Sequence, residues 1–154
     1  MYWTRGSVSS IHRSGMDGSS PITLLTALRG PLGVKLDLAS RRLYWAEYSS
    51  HQIKSSDLDG RDIQLVAQLS SRTYPWGIAI SNDRIYWGNP GNRTLQSCLK
   101  DGQDVQALYT EAGYARGLAI VPAVDQPTNR VNDCAGRQCS TLCVLTQASY
   151  RCLA

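Results

Sequence analysis

Apolar and polar positions along this chain recur with a fixed period. Tyr-Trp stands at Tyr2-Trp3, Tyr44-Trp45 and Tyr86-Trp87, so both intervals are 42 residues. Aligned on that pair, an apolar residue follows nine positions on, as Ile11, Ile53 and Leu95, and Asp-Gly fifteen positions on, as Asp17-Gly18, Asp59-Gly60 and Asp101-Gly102. The runs Gly33-Val34-Lys35-Leu36, Gly77-Ile78-Ala79-Ile80 and Gly117-Leu118-Ala119-Ile120 complete the unit. Short aliphatic and aromatic segments separated by turn residues at regular spacing predict strands. Each unit reads as four antiparallel strands: the Gly-apolar run (A), the Tyr-Trp strand (B), the strand of Ile11, Ile53 or Leu95 (C), and a strand after Asp-Gly (D). Asp-Gly predicts a tight hairpin turn between C and D, because such turns need positive φ.

A four-stranded unit of this length is a propeller blade, so the expected class is all-β. The chain opens at a strand B, carries two full blades and closes with a lone strand A at Arg116-Gly117-Leu118-Ala119-Ile120. About three blades' worth of strands are present, whereas propellers close with about four to eight. Met1 aligns with Leu43 and Ile85 at an apolar strand position, which predicts an internal residue of a longer protein with its signal peptide upstream. Either the chain is part of a larger ring cut from a longer protein, or two copies supply three blades each as a homodimer.

Composition narrows the classes. At 154 residues and 42% hydrophobic content the chain can bury a core. Sixteen basic and twelve acidic residues are scattered without a basic run, which argues against a nucleic-acid partner. No apolar stretch reaches the roughly 18 residues that span a bilayer.

Cysteine usage points outside the cell. Cys134, Cys139, Cys143 and Cys152 crowd into the last 21 residues, as in a disulfide framework. Zinc is the alternative, with Cys139 and Cys143 as half a site, but neither His12 nor His51 lies nearby in sequence.

The strands Met1-Tyr-Trp-Thr, Leu43-Tyr-Trp-Ala and Ile85-Tyr-Trp-Gly, with Leu58-Asp-Gly and Leu36-Asp37-Leu-Ala-Ser-Arg-Arg-Leu-Tyr-Trp, resemble the YWTD β-propeller of the low-density lipoprotein receptor family. The tail from Asn132 to Cys152 resembles the epidermal-growth-factor-like module that follows such propellers. The resemblance implies a six-bladed ring of which residues 1–121 supply part, a linker at 122–131, and an incomplete growth-factor-like module at 132–154. It also implies the disulfides Cys134–Cys143 and Cys139–Cys152, an extracellular or lumenal setting at the cell surface and in endosomes, and ligand capture or release by endocytic or signalling receptors. Ala154 stands where the module's fifth cysteine would be. The motif's acidic fourth residue, which in the family ties blades together, is here Arg5, Glu47 and Asn89. Arg5 cannot accept a hydrogen bond, which predicts the weakest junction at the first blade.

The period also sorts candidate chemistry. Cys98 aligns with Ser14 and Ser56, a small-residue position with no histidine in register to activate a thiol. His12 aligns with Lys54 and Gln96, and His51 with Ser9 and Arg93, which predicts solvent-facing positions. Trp3, Trp45 and Trp87 recur and read as packing residues. Trp76 does not recur, since Leu32 and Arg116 stand at its equivalents. It lies in a D-to-A loop, and in the family these loops and the B-to-C loops form the ligand face. Trp76, Arg116, Tyr74, Glu47 and Arg5 are therefore the candidate ligand-binding residues, with an aromatic and arginine composition typical of interface hot spots.

Asn92-Arg93-Thr94 is a glycosylation sequon on the same face, which makes Asn92 a candidate glycan site. No calcium pattern precedes Cys134, and no cofactor motif, metal cluster, phosphate loop or nucleophile elbow occurs. The expected function is an extracellular binding module for protein ligands, a lipoprotein or secreted factor, and for neighbouring receptor modules. A spacer without its own ligand is the alternative, and a propeller hydrolase the remote one. No enzyme is expected.

Overall fold

The computed structural model describes residues 1–110 and 112–120, and in the remainder the backbone of two strands, 142–145 and 150–153. The chain divides into two compact units, Met1–Ile120 and Val121–Ala154. In the second unit, β12 (Leu142–Leu145) and β13 (Tyr150–Leu153) pair antiparallel with residues 143 and 152 opposite each other. The implied disulfides and the growth-factor-like module otherwise lie outside the described residues.

The first unit is three antiparallel sheets. Blade I is β1 (Tyr2–Arg5), β2 (Ser10–Arg13) and β3 (Ile22–Leu25). Blade II is β4 (Pro31–Asp37), β5 (Arg42–Glu47), β6 (Gln52–Asp57) and β7 (Gln64–Gln68). Blade III is β8 (Ile78–Ser81), β9 (Arg84–Asn89), β10 (Thr94–Leu99) and β11 (Gln106–Tyr109). Strand order follows chain order, so each blade is a meander in the sequence A-B-C-D, with A missing from blade I.

Alternation along strand B decides which blade meets which. Leu43 and Trp45 point to one side and join Ile11 and Leu25 of blade I. Tyr44 and Ala46 point to the other and join Ile78, Ile85, Trp87 and Cys98 of blade III. The middle blade is therefore buried on both faces, and Leu43 to Glu47 read as a continuous buried run. The core is two layers between blades, and the in-phase tryptophans Trp45 and Trp87 are both fully buried in it.

The residue facing each tryptophan across the B–C ladder is the position predicted to meet solvent. The pairs are Trp3–His12, Trp45–Lys54 and Trp87–Gln96. His12 stacks on Trp3 with ring centroids 5.4 Å apart, and the Trp87 indole N–H donates to Gln96 at 3.0 Å. His12, half-buried, is thus a tryptophan partner and not a solvent-facing residue.

The C–D connection also differs from a two-residue hairpin. Asp57 ends β6 and Gln64 starts β7, with a turn closed by Asp57 N–H donating to the Arg61 carbonyl and Gly60 N–H donating to the Asp57 carbonyl. Positive φ falls on Gly18, Gly60 and Gly102 at 82°, 78° and 85°, and on Ser20, Asp62 and Asp104 two residues later, but not on the preceding Asp. The Asp side chain works instead as an acceptor, as in Asp101 taking the Gln103 N–H at 2.9 Å.

Residues 116–120, expected as a lone strand A, form no ladder. Strand A pairs with the strand B that follows it, as β4 with β5 and β8 with β9, and no Tyr-Trp strand follows residue 120 in this sequence. The segment still packs as strand A does. A Cβ on Gly33 would lie 2.6 Å from the Trp76 carbonyl oxygen, and one on Gly77 would lie 2.4 Å from that of Arg116.

Candidate ligand-binding face

Antiparallel order puts the B-to-C loops and the D-to-A loops at one end of the blades and the A-to-B and C-to-D turns at the other. The first set comprises residues 6–9, 48–51 and 90–93 with 26–30, 69–77 and the segment after Tyr109. Backbone bonds tie them into one surface: Ser49 N–H donates to the Arg29 carbonyl at 3.1 Å, and Ala112 N–H to that of Arg93 at 2.7 Å.

An aromatic cluster occupies this end. The Tyr48 ring lies 5.0 Å from Tyr74 and 5.7 Å from Trp76, edge-on to the latter. His51 lies edge-on to Tyr74 at 4.9 Å, with Nδ1 2.8 Å from the Thr73 carbonyl oxygen. The Arg116 guanidinium sits 4.7 Å from the Trp76 ring centre, within cation–π range. Trp76 and Tyr74 are half-buried, Tyr48 and Arg116 exposed. The structure thus brings Trp76, Tyr74 and Arg116 together and adds Tyr48 and His51.

Glu47 stands below this surface and is not part of it. It is fully buried at the end of β5, where it accepts from Trp45 Nε1 at 3.1 Å, Ser50 Oγ at 2.8 Å and Lys54 Nζ at 3.0 Å. Burial pushes its carboxyl up, but those three donors outweigh burial and hold it below the usual carboxylate range. Every partner belongs to blade II, so Glu47 fixes loop 48–51 from beneath and cannot reach a ligand. The corresponding Asn89 holds the D-to-A connection instead: its Oδ1 accepts from Tyr74 N–H and Gly91 N–H, both at 3.1 Å, while its buried Nδ2 has no partner among the described residues. Arg5 is exposed at the end of β1, at the same end as the loops.

Asn92 is exposed, and its Oδ1 accepts the Thr94 hydroxyl at 2.6 Å. Cys98 is fully buried, and burial pushes its thiol up to about 11. Its counterparts Ser14 and Ser56 are buried too, so the position takes a small residue for packing. Among the described residues no helix is long and apolar enough to cross a membrane.

Sequence signals for Tyr48 and His51 were weak, because both sit in a loop whose length the period fixes but whose composition it does not. The backbone did leave a trace there. Ser9, His51 and Arg93, 42 residues apart, all take positive φ near 55°, at 51°, 55° and 58°.

No protein-family model matches the chain. Over 68 residues, 43% of the chain, it is 38% identical to the vitellogenin receptor of Solenopsis invicta. Over 73 residues, 47% of the chain, it is 31% identical to low-density lipoprotein receptor-related protein 5 of Mus musculus. Each match spans 4% of that relative's length. A chain of a nidogen/laminin complex superposes with TM-score 0.64 at 20% identity, covering 73% of this chain and 44% of that one. A gluconolactonase from Xanthomonas campestris gives 0.60 at 20% identity, covering 71% and 42%, and a streptogramin B lyase 0.60 at 21%, covering 75% and 39%. These structures share the fold, and about two fifths of each is matched. The in-phase Tyr-Trp strands, the receptor relatives and the shared architecture together identify the described blades as part of a YWTD-type β-propeller similar to those of low-density lipoprotein receptor-related proteins.

Proposed function

We propose that this segment is an extracellular interaction module of an endocytic or signalling receptor, and that it binds a protein ligand on the loop face centred on Trp76. The carrying observation is that Trp76, which the repeat does not require, lies half-open between Tyr48 and the Arg116 guanidinium. A rigid aromatic anchor flanked by an arginine is the composition from which interface hot spots are built. Lipoproteins, secreted factors and neighbouring receptor modules are the partner classes this reading favours.

Catalysis is not part of it. The enzymes among the structural relatives share the architecture at about one fifth identity, and function lives in sites grafted on folds. The inaccessible Cys98 thiol and the packed His12 and His51 rings support a non-catalytic reading.

Trp76→Ala and Arg116→Ala in the full receptor test it. Loss of about 2 kcal/mol or more in ligand affinity is expected at Trp76 and less at Arg116. Unchanged affinity for every ligand tried would leave the spacer reading.

A further inference from the structure

Charge is sorted between the two ends of the blades. All eight aspartates of residues 1–120, from Asp17 to Asp104, lie at the ends of strands A or C or in the A-to-B and C-to-D turns. There the bases among them are largely engaged: Arg13 with Asp59, Arg42 with Asp62, Arg84 with Asp104 and Lys100 with Asp37.

The loop end is the reverse. Arg5, Arg29, Arg72, Arg93 and Arg116 are all exposed, and among the described residues none is in an ion pair. The described acid there, Glu47, is buried and already held by Lys54; Glu111 lies outside the described residues. Two of the arginines lean on aromatics, Arg116 on Trp76 and Arg93 on Tyr114 at 5.7 Å. Among the described residues, Arg29 and Arg72 make no side-chain hydrogen bond or ion pair.

Resting on the loop-face reading, we propose that its ligand is an acidic segment of a partner protein. Its carboxylates meet these arginines, and an apolar side chain between them seats on Tyr48, Tyr74 and Trp76. Guanidinium forks match carboxylates in geometry, and an uncompensated set of them attracts and orients an oppositely charged segment. An aromatic cluster at the same end as the separate arginines suits a peptide with alternating acidic and apolar side chains better than a uniform polyanion.

The test uses the full chain, enzymatically deglycosylated, and a fluorescent peptide of glutamates flanking one central leucine. Companion peptides replace the glutamates by lysines, or the leucine by serine. Binding of the glutamate–leucine peptide that weakens as salt rises is expected. Arg29→Glu with Arg72→Glu should weaken it by about tenfold or more, and Arg41→Glu with Arg61→Glu at the opposite end should not. Both double variants alter exposed side chains, and unchanged thermal midpoints verify folding.

Equal binding of the lysine peptide, or equal losses in the two double variants, overturns the proposal. So does a sulphated oligosaccharide that binds where the glutamate peptide does not. If the peptide fails to bind while Trp76→Ala still abolishes ligand capture by the receptor, the acidic class falls and the loop face stands. If Trp76→Ala also changes nothing, the face itself falls.

Discussion

Asp37 ends β4 of blade II, and its carboxylate reaches Lys100 in the C-to-D turn of blade III at 2.5 Å, with Ser40 donating to the same oxygen at 2.6 Å. Burial pushes this carboxyl up, but the Lys100 and Ser40 bonds outweigh burial and bring it down to about 2. A carboxylate depressed in the folded state adds stability above its unfolded value, and that stability is lost as pH falls through the folded one. Between pH about 4 and about 2 the protein should therefore lose on the order of 2 kcal/mol through this residue. Urea midpoints across that window check it, and Asp37→Asn should flatten the slope; an unchanged slope would mean that the bridge between blades II and III is not stabilising. The sequence carried Asp37 only as part of the Leu36-to-Trp45 motif and gave no sign of its partner. Its partner is 63 residues away, and only the stacking of one blade on the next brings them together. For Glu47 the alignment with the motif's acidic position was plain in the sequence, while its burial and its blade-internal partners were not.

At the scale of the element, the period fixes more than strands. In every blade the C–D ladder slips at the same place: between Ile11 and His12, Ile53 and Lys54, and Leu95 and Gln96. The extra residue on strand D is Leu24, Val66 or Leu108, and a bulge re-aims the backbone locally. The bulged carbonyl then meets the C-to-D glycine of the next blade. A Cβ on Gly60 would lie 3.1 Å from the Leu24 oxygen, and one on Gly102 only 1.8 Å from the Val66 oxygen. Gly18, at the equivalent place in blade I, has nothing within 4 Å. Asp-Gly was legible as a turn, but its second duty, close approach between blades, has no signature within a single unit. The three glycines separate the two duties experimentally. Gly18→Ala meets only the positive-φ penalty, about 1–2 kcal/mol, whereas Gly102→Ala adds a backbone clash and should cost well beyond about 3 kcal/mol or prevent folding. Denaturant midpoints of the two variants decide it: equal losses would show that turn conformation alone, and not blade contact, demands the glycine.

Across the whole molecule, blade count, strand order and the role of the recurring tryptophans followed from the period, because a blade's two faces are dictated by alternation along strand B. How much each face is covered did not follow, because coverage depends on the neighbouring blade. Trp45 and Trp87 each face a preceding blade and are fully buried, while Trp3 faces away from blade II, is half-buried and stacks on His12. At the opposite side of the arc Tyr86, Leu95 and Leu108 line a cleft of about 350 Å³, partly roofed by Leu118 and Ile120, where Tyr44 in blade II is buried under blade III. The two outer faces are therefore the counterparts of faces that pack together inside the arc. Trp45→Ala in this chain should cost about 3–5 kcal/mol, as for a buried aromatic, and Trp3→Ala less than about 2 kcal/mol. Urea unfolding at several protein concentrations gives both values and discriminates what covers Trp3. A small, concentration-independent cost at Trp3 means an open face on a three-blade monomer. A cost that climbs toward that of Trp45 as concentration rises means that a second copy supplies the missing neighbour and closes the ring, since only an interface between molecules makes one tryptophan's contribution depend on how many molecules are present.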